Sequence, residues 1–164
     1  MTEPSASPTH RVSEAAAVLG LDVTFVSRPA ADSLVAAAAA LQIEPRDIVK
    51  TLVVKRSDDT FVFALIPGDR VISWPKLRAV VGVNKLQLPS PDIALAATGY
   101  ERGTIVPLGS SHAWPVFADE RVRDRLVALG AGVHGYSAFV DSNALLSALE
   151  ATVADISNEA PAAS

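Results

Sequence analysis

Residues 48–54 read IVKTLVV, residues 61–66 read FVFALI, and the polar stretch KRSDDT joins the two runs. Both runs are rich in β-branched and aromatic residues, whereas the joining stretch carries charged and small polar side chains, which favour a turn. This pattern predicts two strands that pair as a hairpin. A hairpin at the centre of the chain favours a mixed or mostly antiparallel sheet over a doubly wound parallel sheet.

The patterns before the hairpin predict two helices and one strand. A short helix is expected from Ser13 to Gly20, because serine caps a helix and glycine ends one. Residues 23–26 have the pattern of a strand. Asp32 can cap the alanine-rich helix that follows, and this helix should end before Pro45 because the residue before a proline avoids the α region.

The patterns after the hairpin predict four helices and two strands. Helices are expected at 74–81, from 92 onwards, over 119–129 and directly after Asp141, which can act as an N-cap. Strands are expected at 115–119 and 133–140. The predicted fold class is a single α/β domain with a mixed, mostly antiparallel sheet, curled toward a barrel, and with helices packed outside it.

Composition and charge limit the kind of protein this is. The chain has 164 residues and no cysteine, so it has no disulfide framework, thiolate metal site or cysteine nucleophile. Residues 1–10 and 157–164 are small and polar and are expected to be disordered, which leaves 11–156 as the domain. The first ten residues do not resemble a signal peptide, and no apolar run approaches the roughly 20 residues of a membrane span. We therefore expect a cytoplasmic protein without membrane contact.

The basic residues are unevenly distributed. The formal net charge is −4, but residues 46–85 carry eight basic and four acidic side chains. A local basic face would suit contact with one end of an RNA, and ordinary variation of surface charge would explain the same numbers. Arg56, Lys76 and Lys85 are the residues of this segment that we expect to hold an RNA end or another anion.

Lys50 is unusual because it lies in the middle of a strand that is apolar on both faces. Its ammonium must reach water, pair with an acid, or face a cleft that receives an anion or polar ligand. Desolvation could also lower its pKa, which would suit a general base or a Schiff-base lysine. The strand alone does not decide between a structural and a functional lysine.

A second candidate feature is the loop GYERGTIVPLG, from Gly99 to Gly109. Three glycines and one proline allow its backbone to approach a ligand closely, and exposed N–H groups of the loop could then bind oxygen atoms of that ligand. A loop that only connects a helix to a strand can have the same composition. No phosphate loop, dinucleotide fingerprint or nucleophile elbow occurs in the chain. The three histidines lack metal-ligand spacing, so no cofactor and no metal are predicted.

Several of these segments together resemble the YbaK family, also called the prolyl-tRNA synthetase-associated or trans-editing domain family. The similarity runs from about residue 41 to residue 149. The segments that carry it are KTLVV (50–54), ALIPGDR (64–70), WPKLRAVVG (74–82), LPSPDIALAATGYERGTIVPLG (88–109) and PVFADERV (115–122). The family's GxxxP pattern matches Gly103 to Pro107.

The resemblance implies a curled mixed sheet with a cleft between the lysine strand and the GxxxP loop. It also implies hydrolysis of the ester that joins an amino acid to the terminal adenosine of tRNA, typically tRNA for proline carrying alanine or cysteine. The implied catalytic residues are Lys50, Gly103 and Pro107, with Lys50 as a fixed positive charge. The partners are the aminoacylated 3′ end of tRNA and, in addition, prolyl-tRNA synthetase.

The resemblance also implies the residues around the substrate, which are Thr51, Gly99, Tyr100 and Asp141. An N-cap role explains Asp141 equally well. The implied reaction needs no protein nucleophile, because an aminoacyl ester is already activated and a positioned water with backbone donors could suffice. Two other functions stay open: a module that binds a tRNA end or another anion without chemistry, and an interaction partner recruited by a synthetase.

Overall fold

The computed structural model describes residues 8–161 and shows an α/β fold within that range. The helices are α1 (Pro8–Val18), α2 (Leu34–Leu41), α3 (Trp74–Val81), α4 (Pro91–Thr98) and α5 (Ser142–Ala148). The strands are β1 (Thr24–Ser27), β2 (Val49–Arg56), β3 (Phe61–Pro67), β4 (Arg70–Ile72), β5 (Leu86–Gln87), β6 (Val116–Asp119), β7 (Leu126–Gly130), β8 (Tyr136–Asp141), β9 (Thr152–Ala154) and β10 (Ser157–Glu159).

The strands form three sheets, and most of their pairs are antiparallel. The largest sheet has the order β5-β2-β3-β6-β9, in which β3–β6 and β6–β9 are parallel. A second sheet has the order β1-β8-β7, and β4 pairs with β10. The prediction of an α/β fold with a mixed, mostly antiparallel sheet is confirmed, as is the hairpin of β2 and β3.

The prediction of a curled, barrel-like sheet is wrong. None of the three sheets formed by residues 8–161 closes on itself. The reason lies at the outer edge of β2, where β5 pairs only with Lys55 and Arg56 and a single bridge joins Ile48 to Ala128 of β7. The sheets therefore meet at this edge without continuous pairing between them.

The hairpin of β2 and β3 is the centre of the core. All seven residues of β3 are buried. On one face Phe63 and Leu65 pack with Val53 into the larger hydrophobic cluster, and on the other face Ala64 and Ile66 belong to a second cluster. Burial on both faces explains why the sequence of β3 is a continuous apolar run without alternation.

The helix ends follow the capping residues, with shifts of one or two positions. Gly82 ends α3 with a φ of 84°, and Asp141 caps α5 by accepting a hydrogen bond from the Ala144 amide, both as predicted. Ser33 caps α2 in place of Asp32, and α4 begins after Ser90. Each serine accepts from the amide three residues later, which satisfies one orphan donor of the first turn.

The predicted helix over 119–129 is wrong. One 3-10 turn at Glu120–Val122 is followed by strand β7, in which Val127 and Leu129 are buried in the larger cluster. The short apolar run LVALG fits a buried strand and a helical turn equally well, and pairing with β8 decides between them.

The prediction of disorder is wrong for residues 8–10 and 157–159. Residues 8–10 are part of α1, and residues 157–159 form β10 on the edge of β4. Residues 1–7 and 162–164 lie outside the described range.

Arg11 of α1 fixes both ends of the 99–109 loop. Its guanidinium donates to the carbonyl oxygen of Gly109 at 2.6 Å and to those of Thr98 and Gly99 at 3.2 and 3.3 Å. The guanidinium also lies 4.7 Å from the centre of the Tyr100 ring. One side chain therefore satisfies carbonyl acceptors at the end of α4 and at the end of the loop. We call this set of contacts of Arg11 the arginine clamp.

We expect Arg11→Ala to lower the free energy of unfolding by about 2–4 kcal/mol, because three carbonyl groups lose a charged donor. Urea unfolding at pH 7 measures this change. The control is Arg46→Ala, since the side chain of Arg46 is 58% exposed and pairs with Glu44 at the surface. That variant should lose about 0–1 kcal/mol, and equal losses in both variants would contradict the clamp.

Candidate active site

A cavity of about 470 Å³ lies beside β2. This volume falls within the range of small-molecule sites. Its walls come from β2, β7, β8, the segment before α4 and the 99–109 loop. The lining residues are Arg28, Ile48, Val49, Lys50, Thr51, Leu52, Val53, Leu88, Pro89, Pro91, Ala94, Arg102, Gly103, Ile105, Ala128, Leu129, Gly130, Tyr136 and Ser137.

Ile48 and the first five residues of β2 line this cavity, because the cavity follows the strand's unpaired edge. Ile48 accepts a hydrogen bond from Gly68 on the β3 side, and Arg56 donates to Thr60 on the same side. Backbone groups alternate between the two edges of a strand, so the even-numbered residues face β3. Thr51 and Val53 therefore direct their N–H and C=O groups toward the cavity.

Lys50 is half-buried at this edge. Its Nζ donates to the carbonyl oxygen of Arg70 at 2.7 Å. Burial lowers the pKa of Lys50, and the charge of Asp69 opposes that shift in part. An ammonium group has three donors, so two N–H groups remain for a ligand. The predicted lysine thus lines a cavity while a backbone carbonyl holds its position.

Thr51 points to the opposite face of β2 and lines the same cavity. Its Oγ1 is buried and has no hydrogen-bond partner among residues 8–161. A buried hydroxyl without a partner carries a free-energy cost that a ligand atom or a water can relieve. Two neighbouring side chains and the strand edge between them can therefore contact one ligand.

Gly103 brings the 99–109 loop to the opposite wall. Its φ is 89°, in the left-handed region that favours glycine, and the turn is closed by the Thr104 amide donating to Glu101. The loop rests on β7 at Gly130, where an added Cβ would lie 2.6 Å from the carbonyl oxygens of Thr104 and Ile105. Glycine at 130 is thus required for the loop's close approach.

The structure brings together three of the predicted site residues, Lys50, Thr51 and Gly103. Pro107 is buried and does not line the cavity. Tyr100 is 1% exposed, and its hydroxyl donates to the Leu108 carbonyl at 2.7 Å. Gly99 and Tyr100 thus support the loop from behind, in contact with Arg11. Asp141 caps α5 and does not line the cavity either.

The three residues expected to bind tRNA also lie outside the cavity lining. Lys76 pairs with Asp155 at 3.0 Å and donates to the Ser157 carbonyl, and the Nε of Arg56 lies 4.0 Å from Asp58. Lys85 is exposed and comes directly before β5. Contact of Arg56, Lys76 and Lys85 with tRNA stays a prediction.

Four further polar residues line the cavity that the sequence did not single out: Arg28, Arg102, Tyr136 and Ser137. Arg28 follows β1, and Tyr136 and Ser137 belong to β8, which pairs with β1. Tyr136 and Ser137 lie more than eighty positions after Lys50, and Arg28 precedes it at the end of β1, whereas Arg102 belongs to the 99–109 loop. No local spacing could have indicated that they share a site with β2.

The cavity has a one-sided charge. Three of its lining residues are cationic, namely Arg28, Lys50 and Arg102, and none of the lining residues is acidic. Coulomb attraction between such a set and an anion is strengthened where water is partly excluded. The arrangement suits a ligand that carries negative charge or develops it during a reaction.

No group of three or more His, Cys, Asp or Glu side chains within the described range is placed to hold a metal ion. None of the helices in residues 8–161 has the length and apolar character to cross a membrane.

A buried carboxylate lies behind Lys50 on the far side of β4. Asp119 is 0% exposed and accepts hydrogen bonds from Ser157 Oγ at 2.7 Å and from the amides of Ile156 and Arg121. Ser157 in turn accepts from Arg70 Nε at 2.7 Å. Since the Arg70 carbonyl holds Lys50, this network connects β10 to the lysine.

Comparisons with known proteins agree on one family. The model of the aminoacyl-tRNA editing domain matches residues 28–148. "Putative Cys-tRNA(Pro)/Cys-tRNA(Cys) deacylase EbsC" of Enterococcus faecalis is 30% identical over 123 residues, covering 74% of this chain and 75% of that protein. A solved structure described as "a putative trans-editing enzyme for prolyl tRNA synthetase" superposes with a TM-score of 0.83 and 26% identity, covering 96% of this chain and 99% of that chain.

Part of a much larger enzyme is also similar. The proline–tRNA ligase of Lactobacillus gasseri is 31% identical over 102 residues, which is 62% of this chain and 18% of the ligase. The chain spans about a fifth of the length of such ligases.

We expect Asp119→Asn to lower the free energy of unfolding at pH 7 by about 2–4 kcal/mol, because an amide cannot accept from every donor around it. Burial alone would raise the pKa of Asp119, but hydrogen bonds from Ser157, Arg121 and Ile156 outweigh it and leave the pKa below 3.8. The carboxylate therefore stabilises the fold fully above pH 3.8, and this stabilisation is lost as the pH falls through the lowered pKa.

Urea unfolding of both proteins at pH 7 and pH 3 measures this effect, and the advantage of the wild type should shrink at the lower pH. Asp22→Asn is the control, since Asp22 is exposed and its change should stay within about 0.5 kcal/mol. A difference that grows toward acid pH would contradict the assignment.

Proposed function

The chain belongs to the aminoacyl-tRNA editing domain family, and from that membership we propose that it is a cytoplasmic deacylase that hydrolyses mischarged aminoacyl-tRNA in trans. The observation that carries the proposal is the cavity in which Lys50, Thr51 and the open edge of β2 face Gly103 across a space without acidic side chains. The substrate is the aminoacylated 3′ end of a tRNA, most simply tRNA for proline carrying cysteine or alanine.

The chemistry follows from what lines the cavity. A water attacks the ester carbonyl carbon and the bond to the ribose oxygen breaks. The proton that the water loses passes to that oxygen, which leaves as a hydroxyl, and the amino acid leaves with a carboxyl group. Negative charge develops on the carbonyl oxygen, which one N–H group of the open β2 edge, that of Thr51 or of Val53, and the ammonium of Lys50 can stabilise. No protein nucleophile is needed, since the ester is already activated.

Lys50 acts in this scheme as a fixed positive charge. The Arg70 carbonyl holds its Nζ, so little reorganisation is needed when the charge of the ester oxygen develops. Burial lowers the pKa of Lys50, which favours loss of its charge, but the negative charge of Asp69 opposes that loss. Thr51 can orient the substrate through its unpaired hydroxyl.

Selectivity would be steric. Ala94, Ile105 and Gly130 line the cavity, and the contact of Gly130 with the loop leaves no space for that wall to retreat. A small pocket excludes large side chains by steric overlap. Such exclusion discriminates more strongly than the small gain in affinity that one additional methylene group provides. Alanine- or cysteine-sized residues would enter, and larger ones would not.

A second candidate is a module that binds a tRNA end or another anion without chemistry. The hydrogen bond between Lys50 and Arg70 favours it, since a lysine held by a carbonyl could be structural. Filter binding beside a deacylation assay separates the two functions, because retention of RNA without loss of the ester supports the binding module. A synthetase-associated interaction protein would instead be retained by prolyl-tRNA synthetase after nuclease treatment and would not bind RNA.

We expect Lys50→Met to slow deacylation of Cys-tRNA(Pro) or Ala-tRNA(Pro) by about 100-fold or more, the size of effect seen when one oxyanion donor is removed. The matched control is Lys55→Met on the same strand, since Lys55 pairs with Asp59 and does not line the cavity. Its rate should stay within about twofold of wild type. Unfolding curves of both variants show whether the fold is intact, and an active, folded Lys50→Met protein would remove Lys50 from the mechanism.

A panel of mischarged tRNAs tests the steric account. We expect hydrolysis of tRNA(Pro) carrying alanine or cysteine, and rates lower by about 100-fold when the same tRNA carries a residue too large for the pocket. Initial rates at one enzyme concentration, corrected for spontaneous ester loss, measure this. Equal rates for small and large residues would contradict a size-selective wall.

A further inference from the structure

Arg28 lines the cavity with a side chain that has no partner within the described residues. Its Nε is buried and makes no hydrogen bond within residues 8–161, and no carboxylate in that range forms an ion pair with its guanidinium. A buried guanidinium nitrogen normally has an acceptor, because five N–H donors on a fixed fork are costly to leave unpaired. The missing acceptor is therefore expected to arrive with the ligand.

The backbone holds Arg28 in place although its side chain is unpaired. Its amide donates to the Gly135 carbonyl at 2.8 Å, which extends the pairing of β1 with β8 by one residue. Ser27, the residue before it, is paired with Tyr136. Arg28 thus lies at a fixed end of a two-stranded ladder, on the side of the cavity across from Lys50's strand.

Phosphate is the acceptor that best fits this position. A guanidinium matches two oxygens of a phosphate group, and phosphate contacts are the usual role of an arginine in a nucleic-acid site. Lys50 and Arg102 line the same cavity, and no acidic residue among the lining side chains would repel the group. Three cationic side chains around one cavity favour a negatively charged group over an uncharged one as the acceptor.

Tyr136 is paired with Ser27, the residue before Arg28, and also lines the cavity. The residue is 46% exposed, and its hydroxyl makes no hydrogen bond to residues 8–161. An exposed aromatic ring beside a cationic groove is the pattern on which bases of single-stranded nucleic acids stack. Leu88 and Pro89 add apolar surface to the same cavity.

We infer that Arg28 and Tyr136 form a nucleotide subsite, an inference that rests on the proposed function. Arg28 binds a phosphate of the single-stranded 3′ end, and Tyr136 stacks on a neighbouring base. The subsite would hold the RNA while Lys50 and the β2 edge act on the ester. It contributes equally to the ground state and the transition state, so its loss raises KM and leaves kcat nearly unchanged.

Binding of the RNA trinucleotide CCA to the wild-type protein, measured by titration at several salt concentrations, tests the subsite. Arg28→Gln should weaken binding by about tenfold or more. It should also reduce the slope of log K against log salt by about 0.7, the value for one phosphate contact on a single strand. Tyr136→Leu should weaken binding by about 5- to 150-fold and leave the salt slope unchanged.

Two controls accompany these variants. Tyr136→Phe keeps the ring and should bind the trinucleotide like wild type. Arg123→Gln alters an exposed arginine outside the cavity lining and should change neither the affinity nor the salt slope. Thermal unfolding of each variant shows whether a loss of binding comes from a loss of fold.

The outcomes separate this inference from the proposed function. If the wild type deacylates the substrate and Arg28→Gln keeps the wild-type KM and salt slope, the phosphate contact is overturned and the proposed reaction is not affected. Equal affinity of Tyr136→Leu and wild type would overturn the stacking contact. Binding of AMP as tight as that of CCA would show a free-nucleotide site and overturn the RNA assignment. Binding of CCA that depends on both residues, without any deacylation, would support the subsite and count against the proposed reaction.

Discussion

Strand β2 is fully paired along one edge only, and the site depends on that constraint. β3 covers one edge from Val49 to Lys55, while β5 and the bridge at Ile48 occupy only the two ends of the other. Between these ends the backbone groups of the strand are open to a cavity. The fold thereby places hydrogen-bond donors of a rigid, central element beside a ligand, which a mobile loop could not position as accurately.

The charge of Lys50 in this cavity is held by a backbone contact. Lys50 donates to the Arg70 carbonyl, and Arg70 is fixed from behind by Ser157 and the buried Asp119. On the opposite wall, the arginine clamp fixes both ends of the loop that carries Gly103. Both walls are therefore set before a ligand arrives, which is the condition for electrostatic stabilisation at low cost of reorganisation.

The sequence predicted the parts of the fold that depend on neighbouring residues. The hairpin, the helix ended by Gly82 and the cap at Asp141 follow from local patterns, and Lys50 stands out because a charge interrupts an apolar strand. Residues 119–129 were misassigned because a short apolar run fits a helix and a strand alike. Arg28 could not be identified as a cavity residue, since only the pairing of β1 with β8 brings it there, and the burial of Tyr100 could not be read from its loop.

The region that matches the family, residues 28–148, excludes two of the supports described above. Arg11 precedes it, and Ser157 follows it. A polypeptide trimmed to the matched boundaries would keep β2 and Lys50 but lose the contacts that hold both walls of the cavity. The stiffness of this pocket therefore depends on segments outside the matched region, so shortening the chain to that region would loosen the pocket without changing a residue that lines it.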